Sequence, residues 1–568
     1  RREILELRIQ MEDVARRARA LSAGPSAANE LPPLVAVLPR LARSCSGAGA
    51  GAGDVASLRS ALFAVEGFFR RARAQGEFEE AGEGDEAVYA AWLRQNYSAY
   101  TRTLCAMIGS GEMGARVRLA SFLALMELVR SERAGLFAGE LFISGLEAIF
   151  REEGGAALEE LLSALSAKFF TFADVRYYTH RFVTRAAEAA AASADAAGAT
   201  PDETLVRRLH ELLSKIPARF EGDGEEGFAA WCREDATDER GGGGVGGGKG
   251  APVDKKRKRS SSSKGGGGRG ANTPKWATSK RLREAFSEAW LALLRLPLPH
   301  DLYKTILPRL PVAAMPHMTN PLLLSDFLTA SIDAVSPLVG MLALNGLFVL
   351  MTEHGLEYPQ FYRRLYGLVT ADAFFATHRK RYFELLETFL KSPAVPAYTA
   401  AAFAKRLARI ALAAPPAGAL VAVTLIHNLL RRHPACGVLT QREDSSTSSS
   451  GGGGGGDPFL AAEQDPANAE ALKSSLWEME ALRAHYNPAV ARHVEVLVRD
   501  IASLKARTQT ANLPLDSLAA GSYASLFTSA ASARLKTAPV SFHPSTPTTL
   551  FDAAQTDAPL FAWGGAQA

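Results

Sequence analysis

The stretch SKRLREAFSEAWLALLRLPLP, residues 279–299, decides the fold. Leu282, Ala285, Phe286, Ala289, Trp290 and Leu293 fall at i, i+3, i+4 and i+7, which lines them up on one side of a helix with 3.6 residues per turn. Ser279 reads as the N-cap, because its hydroxyl can accept from a free first-turn N–H. Pro297 and Pro299 end the helix, since proline lacks the N–H that the next turn needs. The same period recurs at 115–130, where Val117, Ala120, Leu123, Ala124 and Met126–Leu128 form the stripe. Further helices read at 322–334, 338–354 (closed by Gly355), 359–370, 379–391, 398–413 and 420–433. Pro359 suits a first helical turn, where a missing N–H costs nothing. No segment alternates apolar and polar residues as a half-buried strand would. Helices of about three to four turns joined by short Pro- or Gly-marked connections stack back and forth. The expected fold is therefore all-α, a HEAT/armadillo-like solenoid of antiparallel helix pairs, although no strict repeat stands in the sequence.

Low-complexity runs divide the chain. GGGGVGGGKGAPVDKKRKRSSSSKGGGGRG at 241–270 has almost no apolar side chains to offset the entropy of ordering it. SSTSSSGGGGGG at 445–456 and SGAGAGAG at 46–53 are similar, and another insertion reads near 76–85. The expected organisation is an N-terminal helical region over 1–235 and a disordered basic Gly/Ser linker over 236–273. A second helical domain follows over 274–551, with a flexible insertion at 441–456 and a tail over 552–568.

The 568 residues are 47% hydrophobic, enough for a sizeable core. Their 64 basic and 60 acidic residues nearly cancel, so total charge implies no nucleic-acid partner. Cys45, Cys105, Cys232 and Cys436 are too scattered for a disulfide framework and read as reduced thiols. The chain opens with the charged, amphipathic RREILE, with neither an initiating Met nor a secretory signal pattern. The most apolar run, Ala334 to Met351, contains Ser336, Pro337 and Asn345 and reads as a buried core helix, so no membrane insertion is expected.

A search for chemistry finds no GxxxxGK[ST] phosphate loop, no GxSxG elbow and no HExxH zinc helix. The glycine runs lack the flanking strand and helix of a phosphate cradle and read as linkers. His427, His433 and Cys436 are three donors without the fourth that a structural zinc wants, so they read as ordinary helix-end residues. Glu353 and His354 read as a polar helix terminus. No catalytic, cofactor-binding or metal-binding residue is assigned, and no cofactor is expected.

Basic residues carry more information. Lys255, Lys256, Arg257, Lys258 and Arg259 form a cationic run in which a nuclear import receptor could dock; between Gly241 and Arg283 only Asp254 is acidic. The bland alternative is a solubilising charge block. Arg363-Arg364, Arg379-Lys380-Arg381, Lys405-Arg406-Arg409 and Arg431-Arg432 read as solvated helix faces; several on one surface would make an RNA-contacting stripe. Phe361, Tyr362, Tyr366, Tyr382 and Phe383, at helical spacing, read as core rather than base-stacking platforms. Leu472, Leu476, Met479 and Leu482 continue a stripe around Trp477, which reads as a core anchor.

Three longer segments resemble a known family. LNGLFVLMTEHGLEYPQFYRRLYGLVT at 344–370, FFATHRKRYFELLETFLKSPAVPAYTAAAFAKRLARIALAAPP at 374–416 and LIHNLLRRHPAC at 425–436 resemble the CCAAT-binding-factor-type domain of nucleolar complex proteins. Asp457-Pro458, then DPANAEALKSSLWEMEALRAHYNPAVARHVEVL at 465–497, resemble the next block; DSLAAGSYASL at 516–526 and the run 533–551 resemble its close. The resemblance covers about 274–551 and is weaker over 1–235. Its motif residues are Tyr358, Pro359, Phe361, Tyr362, Leu365, Tyr366, Phe403, Lys405, Arg406, Leu407, Asn428, Leu429, His433 and Pro434. In the second block they are Asp465, Pro466, Ser475, Leu476, Trp477, Glu478, His485, Tyr486 and Pro488.

The resemblance implies a non-enzymatic scaffold of the nucleus and nucleolus that acts in ribosome biogenesis. Total size and the lack of a long acidic tail point to the small-subunit branch. That branch implies 18S rRNA processing and 40S assembly within the small-subunit processome, in complex with nucleolar protein fourteen. Other processome proteins and pre-rRNA are further implied contacts. One alternative is a large-subunit (60S) assembly factor of the same superfamily. Another is a DNA-binding transcription factor, which would need a helix-turn-helix, zinc finger or basic zipper that the sequence lacks.

Overall fold

In a computed structural model the described residues are 2–23, 25–46, 52–78, 85–132, 136–151, 156–198, 200–218, 229–232, 278–334, 336–375, 379–392, 395–440, 457–502 and 513–532. The basic run Lys255–Arg259, most of the linker, the insertion at 441–456 and the tail lie outside them. Among the described residues every regular element is helical, as the expected all-α class requires. They form two compact units, 1–368 and 369–568.

The first unit begins with α1 (Arg2–Ala23), α2 (Leu31–Ser44), α3 (Ala52–Ala74), α4 (Asp85–Gly109) and α5 (Ala115–Ser131). It continues with α6 (Gly139–Phe150), α7 (Ala156–Ala164), α8 (Ala173–Ala197) and α9 (Glu203–Lys215). After the linker come α10 (Ser279–Leu294), α11 (His300–Ile306), α12 (Ser325–Ala334), α13 (Pro337–His354) and α14 (Phe361–Leu368). From α1 to α8 each helix packs on the helix two places along, α1 on α3, α2 on α4 and so on to α6 on α8. That neighbour-only pattern is a solenoid, in which each element buries its apolar face against the next repeat.

α10 buries its stripe: Leu282, Ala285, Phe286, Ala289, Trp290 and Leu293 are all in the core. Its cap lies one residue earlier than expected, with Thr278 Oγ1 accepting from the Arg281 N–H at 3.4 Å. α10 packs on α8 and α9, and the Phe286 ring meets His180 of α8 edge-on at 5.5 Å. The boundary between compact units thus falls at 368/369 rather than at the Gly/Ser linker. A buried apolar stripe binds more strongly than sequence adjacency separates.

α13 is the one helix among the described residues long and apolar enough to cross a membrane, and half of it is buried. It starts as Ser336-Pro337 dictates, with Ser336 Oγ accepting from the Val339 N–H, and ends at Gly355 with φ +70°. It approaches α12 so closely that a Cβ on Gly340 would lie 2.9 Å from the Ile332 carbonyl oxygen. Two expected boundaries move. Pro359 stands in a turn ahead of α14, and residues 321–324 form a 3₁₀ turn before α12.

The second unit is built on two helices, α16 (Ala397–Ala413) and α17 (Pro416–Arg432), which pack together after α15 (Arg379–Leu390). α17 begins four residues before the expected 420, because Pro416 is accepted at a first turn. α18 (Trp477–Arg483) packs on α16, α19 (Pro488–Ala502) on α17, and α20 (Asp516–Ala519) on α15 and α17. α21 (Tyr523–Ser532) has no buried residue.

Candidate functional site

The most highly built polar feature of the second unit starts from one lysine. α16 is AYTAAAFAKRLARIALA, so Lys405 sits among alanines and is completely buried. Desolvating an ammonium costs several kcal/mol, so it must find charge and hydrogen bonds in place of water. It finds three acceptors for its three protons: Glu478 (Oε2 at 2.9 Å), Asp457 (Oδ2 at 2.8 Å) and the Ser475 carbonyl oxygen. One turn along α16, Arg409 places Nη2 2.7 Å from Asp457 Oδ2 and Nε 2.6 Å from Glu478 Oε1. Two cations and two carboxylates therefore close a neutral quartet.

Trp477 covers it. Its indole Nε1 donates to Asp457 Oδ2 at 2.8 Å, and its ring lies over the Arg409 guanidinium at 4.7 Å and the Lys405 ammonium at 5.4 Å. At 42% exposure Trp477 is a lid on the quartet and not the core anchor that its stripe suggested. Ser474 Oγ and the Phe459 N–H also donate to Asp457 Oδ1. Burial pushes the Asp457 pKa up, but the hydrogen bonds from Lys405, Ser474, Trp477 and Phe459 outweigh it and hold the carboxyl well below the usual carboxylate range.

A second junction lies on α17. The Asn428 carboxamide pairs with both main-chain polar groups of one residue, accepting from the Leu513 N–H at 3.0 Å and donating to the Leu513 carbonyl at 3.2 Å. It also donates to Glu387 Oε1, which Arg432 Nη2 reaches at 3.0 Å. Beside it Thr424 Oγ1 lies 2.9 Å from His493 Nε2 of α19. Burial lowers the His493 pKa, and His427 beside it lowers it further.

The expected motif residues divide accordingly. The quartet and its lid gather Lys405, Ser475, Trp477 and Glu478, and the α17 junction takes Asn428. Arg406 donates Nε to the Val369 carbonyl at 2.8 Å. Phe403, Leu407, Leu429, Leu476 and Pro466 are buried, and so is His433 at the end of α17, ahead of an exposed Pro434. Asp465 Oδ1 accepts from the Ala467 N–H. His485 accepts from the Asn487 N–H and stacks on an exposed Tyr486 at 4.4 Å, and Pro488 is the first residue of α19. In the first unit Phe361, Leu365 and Tyr366 are core, Tyr358 and Tyr362 half-buried, and Pro359 exposed. Phe361, Tyr366, Tyr382 and Phe383 are buried, as their spacing predicts.

Sequence reasoning missed Asp457, Arg409, Ser474, Thr424, His493 and Glu387 as site residues. It also misread Lys405 as part of a solvated face. The available signal was a lone lysine on an all-apolar helix. Other basic groups are engaged too: Lys380 and Arg381 pair with Glu384 at 3.7 and 3.5 Å. Among the described residues no group of three or more His, Cys, Asp or Glu could hold a metal ion. The four cysteines are unpaired, and Cys436 Sγ meets the Ala397 carbonyl at 3.4 Å. With its cations and carboxylates paired in charge across Lys405, Arg409, Asp457 and Glu478, the quartet is suited to holding chain segments together.

Comparison with known proteins matches a CBF/Mak21 family model to residues 340–494, and a model described as nucleolar complex protein 4-like, TPR repeats, to residues 50–192. The chain is 35% identical over 499 residues to an Arabidopsis thaliana protein named NUCLEOLAR COMPLEX ASSOCIATED 4, covering 83% of this chain and 82% of that one. It is 47% identical over 218 residues to the Rattus norvegicus nucleolar complex protein 4 homolog, covering 38% of this chain and 41% of the relative. For the Homo sapiens homolog the figures are 46% over 226 residues, 40% of this chain and 42% of the relative.

Proposed function

The chain belongs to the nucleolar complex protein 4 family, and from that premise we propose that it is a non-catalytic helical scaffold of the nucleolus that serves assembly of the small ribosomal subunit. Its finer role in this reading is to support 18S rRNA processing and 40S assembly within the small-subunit processome, bound to nucleolar protein fourteen and in reach of pre-rRNA. The observation that carries it is one chain holding, in order, the nucleolar complex protein 4-type repeats and the CBF/Mak21 region. The pairing also supports this reading over a 60S factor, since the matching repeat model is described as nucleolar complex protein 4-like.

Affinity capture of the full chain after crosslinking tests it. Nucleolar protein fourteen and 18S precursors should co-purify; recovery of 27S-type precursors instead would place the protein on the large subunit. Entry to the nucleus is proposed to use Lys255–Arg259. Replacing all five with alanine should lower nuclear accumulation, and unchanged localisation would remove that assignment.

A further inference from the structure

Residues 457–502 and 513–520 meet the rest of their unit differently from a helix added to a stack. Asp457 follows directly on the Ser/Gly run 445–456, and no α-helix forms before Trp477. Over that length the chain lies against α16 and the turn after α17. Asp457 and Glu478 reach Lys405 and Arg409, the Leu476 N–H donates to the Leu439 carbonyl at 2.9 Å, and Phe459, Ala469, Ala471 and Leu476 are buried. α19 then lays Val490, Val494 and Leu497 inward, and Asn428 holds both the N–H and the carbonyl of Leu513. This is how a protein holds a bound peptide: two acidic anchors, apolar residues between them and main-chain pairing.

We propose that residues 457–502 and 513–520 are a strap for which α16 and α17 form a preformed receptor. Lys405 and Arg409 recognise its two carboxylates, and the covalent link through 441–456 is dispensable once the unit has formed. Cutting that link removes only the effective concentration it supplies, on the order of mM for a short flexible linker, so the contacts with α16 and α17 must then hold the strap by themselves. Ion pairs withdrawn from water are screened weakly, so salt should not release the strap.

The test uses the full chain with a protease site inserted among Gly451–Gly456, cut after purification. The two pieces should elute together at the uncut position, at physiological and at ~1 M salt alike. Separation after cutting at physiological salt would overturn the proposal. In the cut protein, Glu478→Gln and Arg409→Met should each speed dissociation at least ~10-fold, since breaking a buried charge pair acts mainly on the off-rate. Arg381→Ala, which removes a surface ion pair with Glu384, should leave it unchanged. Arg409 is one-third exposed, so its variant keeps a readout even if Glu478→Gln fails to fold. Dissociation at the wild-type rate in the Arg409 variant would remove the quartet from the mechanism.

Discussion

In the first unit α5 is buried by helices one and two places along the chain, and its core is aromatic and aliphatic, with Phe122, Leu125 and Met126 fully enclosed. In the second, α16 is buried partly by residues 70 and more positions away, and the contact is ionic. The difference lies in what each packing demands of the sequence. Stacked neighbours need only a periodic apolar face, and many substitutions preserve one. A long-range segment held by charge needs particular residues at particular points, because a buried ion that loses its partner is penalised in full.

The sharpest way to break the comparison is Lys405→Met, which leaves Arg409 to face both Asp457 and Glu478 and should cost about 3–5 kcal/mol. Urea unfolding followed by circular dichroism reads it. Adding Glu478→Leu, which keeps the Arg409–Asp457 pair, should recover much of the loss, since an apolar replacement of a buried pair is often neutral. In the first unit the counterpart is steric. Gly340→Ala drives a Cβ toward the Ile332 carbonyl, and α12 and α13 must part at roughly 1–3 kcal/mol. Asn428→Ala leaves the N–H and carbonyl of Leu513 without this partner and should cost about 1–3 kcal/mol, with faster hydrogen exchange around 513–519.

The smallest effect is a pH dependence of opposite sign in the two units. Asp457 has a depressed pKa, so its stabilisation is present above the unfolded value of about 4 and is lost as pH falls toward the folded one. Asp174, buried in α8, accepts from the Val175, Trp231 and Cys232 N–H groups at 2.8, 3.0 and 3.1 Å. Burial raises its pKa, and those hydrogen bonds offset the rise only in part. Its contribution is therefore full below about 4 and is lost as pH climbs through the raised value. Unfolding midpoints from acid to neutral pH should flatten in one direction for Asp457→Asn and in the other for Asp174→Asn.

The helices were legible because burial repeats every turn. Leu282 to Leu293 named the face of α10, and Gly355 named the end of α13. Boundaries slipped where two residues could do one job, as with Thr278 and Ser279 at the cap of α10. The quartet was only half legible. The motif contained Lys405, Ser475, Trp477 and Glu478, but helical period cannot say that a cation on α16 faces a carboxylate beyond a Ser/Gly run. Charge on a helix usually faces water, and the exception at Lys405 is set by a partner that lies far along the chain.

Pulse-labelling of ribosomal RNA in cells depleted of the protein is the decisive measurement for a small-subunit scaffold. 18S production should fall and its precursors accumulate while large-subunit rRNA matures at the normal rate. Loss of large-subunit rRNA with 18S intact would contradict that role.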